Sequence, residues 1–455
     1  MKIILTLVKY IRKMPSIFIF HRDLRIVDNT TLYFMRKLDI IPIFIFDKRQ
    51  IENNPYKSDN CIQFMLESLE SLNSTLEKLG SRLHTFYGIP HVIIETLIKK
   101  HNPDYVGYNK DYTPFSKKRD KQINKICKKY HVKVLADCDY ALTPIDKITT
   151  KSGTFYKKFT PFASNASKYL PKVSVKRTPA YSFVKLRSRE GSYTLDTDYF
   201  NSESISGGRE NGLRLLKRAR KLKSYGVDRD FMAKNKTTHL SAHNKFGTIS
   251  IREVYLAVKE NEVLVKQLVW RDFYYNIIDK YDVIGKSLYP KYDKIKWIGT
   301  ERQFSAWKKG RTGVPIVDAG MRELNTTGYM HNRCRMIVSN YLVKVLGIDW
   351  RKGERYFATK LTDYDVAQNN GGWQWSAGGG ADSQQYSRIF NPYTQSKKFD
   401  RDCVYIKKWV LELKNVPPSD IHSWDKSYSK YRGCLKPIVD YATNKKIMLD
   451  NFKKL

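Results

Sequence analysis

The sequence predicts an α/β domain with a parallel sheet, followed by a long linker and an all-helical domain. Between residues 15 and 140, short apolar runs alternate with helical patterns, and this β-α-β-α order is typical of a doubly wound parallel sheet. From Gly207 onward the strand signals fade, and helical stretches rich in Trp, Tyr and Arg dominate. A chain of 455 residues is also too long for one ordinary core. The predicted parts are an N-terminal extension (1–14), the α/β domain (15–140), the linker (141–206) and the helical domain (207–455).

The strands of the first domain are predicted from short apolar runs such as SIFIF and IIPIFIF. Runs that are continuous, rather than alternating with polar residues, indicate strands that are buried on both faces of a sheet. This pattern favours a parallel sheet covered by helices on both sides. The predicted strands are 16–20, 40–46, 83–87, 104–108 and 132–136.

Two helices and the linker are predicted from local signals. The segment Asp28-Asn29-Thr30 is expected to cap a helix over TLYFMRKL, and Ser58 is expected to begin a long amphipathic helix that ends at Gly80. The linker is rich in Ser, Thr, Lys and Pro and has weak periodicity. Because a structureless loop of this length is unusual, we expect it to wrap both domains.

Composition narrows the class of protein. The chain has 82 Lys+Arg against 45 Asp+Glu, a formal net charge of +37, and such an excess attracts polyanions. A Lys-rich surface produced by biased codon usage would give the same balance. No apolar run reaches the roughly 18 residues of a membrane span, and the basic, apolar extension lacks the small-residue cleavage site of a secretory signal. None of the six cysteines has CxxC or zinc-site spacing, so we expect reduced thiols and no metal site.

The chemistry is predicted to lie between residues 225 and 410. Six tryptophans fall within about a hundred residues there; each alone is most simply a packing residue, but a cluster could relay electrons. The tryptophans are Trp270, Trp297, Trp307, Trp350, Trp373 and Trp375.

Two polar segments in this region suggest a ligand site. In LTDYDVAQNNGGWQW (361–375), Asp363 and Asp365 could accept hydrogen bonds from a ligand, and the glycines would let backbone approach a flat ring; the alternative is a solvated turn. In TGYMHNRCRM (327–336), two arginines in an apolar helix must pair with carboxylates or a phosphate. Asp363 is the predicted partner of Arg335. The chain has no GxGxxG or P-loop motif.

Several long motifs, in consistent order, resemble the photolyase/cryptochrome family, and within it class I cyclobutane pyrimidine dimer photolyases. The resemblance covers nearly the whole chain after the extension. The motifs are FHRDLRIVDNTTL (20–32), NKDYTPFSKKRD (109–120), TTHLSAHNKFGTIS (237–250), WRDFYYNI (270–277), GVPIVDAGMRELNTTGYMHNRCRMIVSNYLVK (313–344), DWRKGERYF (349–357), DVAQNNGGWQW (365–375) and RIFNPYTQSKKFD (388–400).

The resemblance implies that the helical domain binds FAD. Asn369 matches the residue that faces flavin N5; plant cryptochromes place Asp there, so Asn favours a repair enzyme. By similarity, the residues that hold the phosphates and ribityl chain are Tyr225, Thr237, Thr238, His239, Leu240 and Ser241, and those around the flavin rings and ribityl hydroxyls are Arg271, Arg335, Asp363, Tyr364 and Asp365.

The resemblance also implies an electron relay and a lesion pocket. Trp373, Trp350 and Trp297 match the relay that photoreduces FAD, whereas Trp307, Trp409 and Trp424 are expected to be packing residues. Gln267 stands where such photolyases usually have Glu, and it can hydrogen-bond a thymine but carries no charge. The residues predicted to contact the lesion or its strand are Gln267, Trp270, Arg271, Tyr274, Asn332, Arg333, Met336, Trp375, Arg388 and Gln395.

The implied function is light-dependent repair of cyclobutane pyrimidine dimers, with an electron passing from excited reduced FAD to a flipped-out lesion. The alternative is a cryptochrome-type blue-light receptor, including the DASH-type photolyases that act on single strands. Asn332 follows His331 where (6-4) photolyases usually carry a second His, which argues against (6-4) lesions as the substrate.

The expected partner is damaged DNA, with no membrane involved. We expect a soluble, intracellular monomer, in nucleus or cytoplasm wherever the DNA is. An antenna pigment, a folate or a deazaflavin, is possible in the region of Asn109, Lys110 and Asp111.

Overall fold

The computed structural model describes residues 14–171, 175, 178–186, 190–383 and 386–455. Residues 1–13 of the predicted extension lie outside the described residues. The strands are β1 (Ser16–Phe20), β2 (Asp39–Asp47), β3 (His84–Gly88), β4 (Tyr105–Lys110), β5 (Lys133–Cys138) and β6 (Ser182–Phe183). The helices before residue 206 are α1 (Thr30–Phe34), α2 (Lys48–Ile51), α3 (Asp59–Lys78), α4 (Pro90–His101), α5 (Pro114–Lys129) and α6 (Phe159–Ala166). The later helices are α7 (Arg209–Ala219), α8 (Tyr225–Asp228), α9 (Ser241–Phe246), α10 (Ile251–Val258), α11 (Glu262–Lys280), α12 (Glu301–Lys308), α13 (Pro315–Thr327), α14 (Asn332–Lys344), α15 (Trp350–Lys360), α16 (Val366–Ala377), α17 (Pro392–Phe399), α18 (Val404–Trp409), α19 (Pro418–Ile421), α20 (Trp424–Ser427) and α21 (Tyr441–Lys453).

The N-terminal sheet is parallel, as predicted. Its order is β3-β2-β1-β4-β5, and β6 pairs with the first residues of β2. In β1, Ile17 and Ile19 belong to the core on one face of the sheet, while Phe18 and Phe20 belong to the core on the other face. Burial on both faces explains why the strands read as continuous apolar runs. Every predicted strand lies within two residues of an observed one.

Two predicted helices begin at the predicted caps. The Asn29 side chain accepts from the Leu32 N–H at the start of α1, and the Ser58 side chain accepts from the Cys61 N–H at the start of α3. Gly80, at φ +80°, follows the end of α3. Helix α1 is shorter than the apolar pattern predicts, because the chain turns after Phe34 to begin β2 at Asp39.

The segment predicted to be a linker contacts both halves of the protein. Helix α6 packs through Phe159 and Phe162 into the core around α11. Farther along, Gly191 and Tyr193 exchange backbone hydrogen bonds with Thr85 at the outer edge of β3, at 3.0 and 3.1 Å. The segment therefore supplies structure to each half, although the boundaries at residues 140 and 206 remain predictions.

The helical region is joined to the sheet domain by a shared core and buried ion pairs. Ala242 and Phe246 of α9 belong to the core of the sheet's α3 face. Gly247 ends α9 at φ +62°, and a Cβ there would lie 2.2 Å from the Arg22 carbonyl oxygen, so this contact requires glycine. Arg252 pairs with the buried Asp139 at 2.8 Å. Burial alone would raise the pKa of Asp139, but Arg25 and Arg252 hold it below its usual value. Removing either arginine would leave the buried Asp139 charge with only one of its two partners.

Candidate cofactor and DNA site

Two adjacent cavities open in the helical region. The first cavity has a volume of about 250 Å³ and the second about 410 Å³. The two cavities share one wall, because six residues line both of them: Gln267, Arg271, Arg335, Asp363, Asp365 and Gln368. The second volume lies within the range of about 300–1,000 Å³ that is usual for ligand pockets.

The first cavity collects many of the residues predicted to hold a cofactor. Among its lining residues are Tyr225, Thr238, Leu240 and Ser241, which come from α8, from the segment that leads into α9, and from the first residue of α9. Thr237 and His239 belong to the same segment but do not line either cavity. Burial lowers the pKa of His239 to about 4, so its imidazole is neutral at neutral pH.

Arg271 is fixed at the wall between the cavities. Its Nη2 donates to the Asn244 carbonyl at 2.9 Å, and its guanidinium lies 4.8 Å from the centre of the Tyr275 ring. Gln368 Nε2 donates to the Arg271 carbonyl at 2.9 Å. These contacts hold a positive charge on the cavity wall without a carboxylate directly bound to it.

Asp363 and Asp365 have different partners. Arg335 Nη2 donates to both carboxylate oxygens of Asp363, at 2.9 and 3.1 Å, so the predicted pair is present. Asp365 caps α16 by accepting from the Ala367 N–H at 3.0 Å, and it also binds Arg22 from the sheet domain. Burial would raise the pKa of Asp365, but Arg22 and Arg271 outweigh burial and the pKa is lowered. Asp365 is therefore an anion that ties the sheet domain to the cavity floor.

The orientation of the Asn369 amide is set by Glu354. Asn369 Nδ2 donates to the Glu354 carbonyl at 3.0 Å and to Glu354 Oε1 at 2.9 Å. Both amide hydrogens are thereby used, so Oδ1 is the atom left to accept a hydrogen bond in the second cavity. Burial raises the pKa of Glu354 to about 7, although the Asn369 hydrogen bond acts to lower it.

The second cavity also collects residues predicted to contact a lesion. Trp270, Tyr274, Asn332, Met336 and Trp375 line it, on α11, α14 and α16. The Trp270 ring is stacked on Phe159 of α6 with ring centroids 3.7 Å apart and planes within 2°. Gln267 lines both cavities, and its Nε2 donates to the Val263 carbonyl at 3.2 Å. These residues and Asn369 thus line one cavity, and their contact with a lesion stays a prediction.

Three residues predicted to contact the lesion or its strand lie away from the two cavities. Arg333 pairs with Asp230 at 2.9 Å and lies 4.3 Å from the centre of the Phe399 ring. The Arg388 carbonyl accepts from the buried Lys344 Nζ at 3.1 Å. Gln395 lies on α17. Contact of these residues with a DNA strand stays a prediction.

The three tryptophans predicted to form a relay differ in exposure. Trp373 lines the second cavity and is 2% exposed, Trp350 at the start of α15 is 1% exposed, and Trp297 is partly exposed. Trp297 is thus the most exposed of the three, and the relay from cofactor to surface stays a prediction. Trp307, predicted to be a packing residue, is fully buried, and its ring centroid is 6.0 Å from that of Trp373.

The residues predicted near an antenna pigment are largely engaged with the protein. Asn109 Nδ2 donates to Asn29 Oδ1 at 2.8 Å, and Asp111 accepts from the Tyr140 hydroxyl at 2.8 Å. Lys110 is exposed. In the described part of the chain, no group of three His, Cys, Asp or Glu side chains could hold a metal ion.

Sequence reasoning missed several residues of this site. Glu354 lies within the DWRKGERYF motif, but nothing in the motif's spacing shows that it faces Asn369. Phe159 lies in the predicted linker, where weak periodicity gave no sign of a ring beneath Trp270. Lys245, which lines the first cavity, follows a segment whose role was assigned only as far as Ser241.

Comparison with known proteins agrees with this architecture. The family model described as DNA photolyase matches residues 16–181, and the model described as FAD binding domain of DNA photolyase matches residues 263–454. A protein named deoxyribodipyrimidine photo-lyase, from Buchnera aphidicola subsp. Acyrthosiphon pisum, is 36% identical over 468 residues, with 96% of each chain covered. The chain belongs to the DNA photolyase family.

Solved structures extend the likeness to the whole fold. An archaeal photolyase from Sulfolobus tokodaii, described with two FAD molecules and a proposed light-harvesting role, is 43% identical with a TM-score of 0.85; the match covers 97% of this chain and 100% of that one. A class III photolyase from Agrobacterium tumefaciens is 32% identical with a TM-score of 0.90, covering 98% and 99%. The predicted fold, a parallel-sheet domain followed by a helical region, is confirmed.

The cavities fit an FAD cofactor. Gly372 lines the second cavity, and a Cβ at this position would meet no atom within 4 Å, so the missing side chain leaves room for a flat ring. Asn244 lines the first cavity, and its buried Oδ1 has no hydrogen-bond partner among the described residues. Arg271, which forms no ion pair with a carboxylate among the described residues, lines the same cavity and supplies positive charge suited to a diphosphate.

Proposed function

We propose that this protein splits cyclobutane pyrimidine dimers in DNA in a light-dependent reaction, with FAD held across the two cavities. The observation that carries the proposal is that the second cavity is lined by Asn369, Asp363 and Asp365 together with Trp270, Asn332 and Met336. A cofactor held by the first three residues would therefore be in direct reach of a base held by the other three. Electron transfer between them would need no intervening carrier.

In this proposal the cofactor carries out the redox chemistry, and the protein positions the cofactor and the lesion. When bound, reduced FAD supplies the excited-state electron that splits the cyclobutane ring. Arg271 would offset part of the cofactor's negative charge, because Arg335 is already paired with Asp363. Asn369, held by Glu354, would offer Oδ1 to a ring N–H, which favours a reduced flavin because only a protonated ring nitrogen can donate.

The lesion would be flipped out of the duplex into the second cavity. A damaged step stacks poorly, so extrusion costs only a few kcal/mol. Trp270, kept in place by Phe159, offers a flat face on which the extruded bases can stack. The net charge of +37 supports attraction of the DNA backbone and a salt-dependent affinity.

The proposal includes several finer points. Trp373, Trp350 and Trp297 would carry electrons from the surface to oxidised FAD, and Gln267 would hydrogen-bond the lesion without a charge. Arg333, Arg388 and Gln395 would contact the strand beside it. The protein would act as a monomer, in whichever compartment holds its DNA, and a second chromophore could serve as an antenna. No helix in the described residues is long and apolar enough to cross a membrane.

The test is repair of a defined substrate. The purified protein, with its flavin chemically reduced, is mixed with an oligonucleotide that contains one thymine dimer, and intact thymines are counted in light and in darkness. We expect repair in the light alone. Unchanged dimer in the presence of bound, reduced flavin would refute the proposal and favour a photoreceptor.

A pair of variants makes the test specific to the second cavity. Trp270→Ala should bind the dimer oligonucleotide more weakly, by about 1–3 kcal/mol, because a stacking ring is lost. Trp409→Phe alters a partly buried ring that lines neither cavity and should bind and repair like the original protein. Equal loss in both variants would point to general destabilisation instead of a lesion contact.

A further inference from the structure

A cysteine and a lysine from different halves of the protein meet at short range. Lys245 Nζ on α9 lies 2.9 Å from Cys61 Sγ on α3, and 184 positions separate the two residues in sequence. Hydrogen bonds from nitrogen to oxygen span about 2.7–3.2 Å. Because sulfur is larger than oxygen, 2.9 Å is a close approach for this pair of atoms.

The two side chains are held in this arrangement by their surroundings. Cys61 is 8% exposed, and its Sγ also lies 3.2 Å from the Leu361 carbonyl oxygen and 3.1 Å from the Thr362 carbonyl oxygen. Lys245 Nζ lies 4.3 Å from the centre of the Phe246 ring. Cys61 Sγ is therefore surrounded by the Lys245 amine and two carbonyl oxygens.

When the first cavity holds no cofactor, a small oxidant can approach the pair from the side of Lys245. Lys245 lines the first cavity, which has a volume of about 250 Å³. Molecular oxygen is small and apolar enough to enter a cavity of this size. No other cysteine sulfur in the described part of the chain has a lysine nitrogen within hydrogen-bond range; four of the others contact Tyr112, His422, Tyr405 and the Glu412 carbonyl oxygen. Cys61 is therefore the one thiol of the described residues that is placed to react together with a lysine amine.

We propose that Cys61 and Lys245 form an oxidative cross-link, in which one oxygen atom bridges Sγ and Nζ. The thiol, the amine and one molecule of O₂ give the S–O–N bridge and one molecule of water. The S–H bond and one N–H bond break, and S–O and O–N bonds form. Sulfur and nitrogen each give up two electrons, and these four electrons reduce O₂. One oxygen atom stays in the bridge, and the other leaves as water with the two released hydrogens.

The distance between Cys61 Sγ and Lys245 Nζ favours an oxygen bridge over a direct S–N bond. A single bridging oxygen suits two atoms that already lie 2.9 Å apart. A direct S–N bond would require α3 and α9 to move closer inside a packed interface, which close packing resists. The cross-link would covalently join the sheet domain to the wall of the first cavity and would be opened by a thiol reductant.

The cross-link is tested by mass spectrometry of the full-length, cofactor-free protein after incubation in oxygenated buffer. A tryptic digest without reductant should contain the Cys61 and Lys245 peptides joined, with the gain of one oxygen and the loss of two hydrogens. The oxygen should carry the label when ¹⁸O₂ is used, and dithiothreitol should separate the peptides. Protein oxidised in the same way but unfolded in urea should give little joined product, because the contact exists only in the folded state.

Variants identify the two atoms. Cys61→Ser and Lys245→Arg should each abolish the joined peptide, whereas Cys434→Ser, at a partly exposed thiol without a lysine partner, should retain it. Separate peptides after oxidation, with Cys61 unmodified or carrying oxygen alone, would overturn the proposal. So would a joined peptide that has lost two hydrogens without gaining oxygen, or equal yield from the unfolded protein. None of these readouts depends on repair activity.

Discussion

Replacing Glu354 with Gln should make the protein more stable at alkaline pH. Glu354 is buried, and its pKa of about 7 lies above the ordinary 4.5. One unit of pKa corresponds to about 1.36 kcal/mol, so the ionised carboxylate costs the folded state about 3 kcal/mol. Gln carries no charge and can still accept from Asn369 Nδ2 through its own carbonyl.

The pH window follows from the two pKa values. Between pH 4.5 and 7 the folded state holds the Glu354 proton while the unfolded chain has released it, so stability falls as pH rises. Below this window Glu354→Gln and the original protein should unfold alike. Above it the variant should be more stable by up to about 3 kcal/mol.

The assay is urea unfolding of cofactor-free protein at pH 5 and pH 8, followed by circular dichroism. Leu324→Ala is the control, because Leu324 is fully buried and has no ionisable group. The loss of its side chain should lower the free energy of unfolding by about 2–5 kcal/mol at both pH values. A stability difference for Glu354→Gln that is the same at pH 5 and pH 8, or that turns against the variant as pH rises, would refute the reasoning.

Three further outcomes are expected. Gly372→Val should fold but bind less FAD, measured as flavin absorbance per protein, because the new side chain fills part of the open cavity. Gly371→Ala is the contrasting variant. It should lower the free energy of unfolding by about 1–3 kcal/mol, because its Cβ would lie 2.2 Å from the Tyr274 ring. Trp350→Phe should block photoreduction of oxidised FAD, followed by absorbance, yet spare repair by chemically reduced protein; loss of both would contradict the relay. Affinity for dimer-containing DNA, measured by fluorescence anisotropy, should fall by at least about tenfold between 50 and 200 mM salt, and a flat dependence would argue against phosphate contacts.

The fold was predictable from sequence because its strands are buried on both faces. Continuous runs such as SIFIF have few alternative structures, and Ser58 is a strong cap, so the five predicted strands and helix α3 lie within two residues of their observed bounds. The linker was harder to predict, because Phe159 and Tyr193 are stabilised by contacts with distant elements. Local periodicity does not contain that information.

The sequence allowed prediction of which residue types line the site, but not of how their side chains are oriented. The pairing of Arg335 with Asp363 follows from the cost of burying an unpaired charge, a rule that applies without coordinates. The role of Glu354 does not follow from such a rule, since it depends on how α15 places one carboxyl beside Asn369 on α16. Distances between helices are fixed by packing over the whole region, which no single motif encodes.

The shared core of α3 and α9 has a consequence for anyone who wishes to work with half of this protein. A fragment that starts at residue 207 would expose Ala242 and Phe246, which the sheet domain covers, and would lose the ring of Phe159 from beneath Trp270. Arg252 would likewise lose both of its carboxylate partners. Such a fragment should be insoluble when expressed alone, so crystallisation or labelling schemes need the uncut chain.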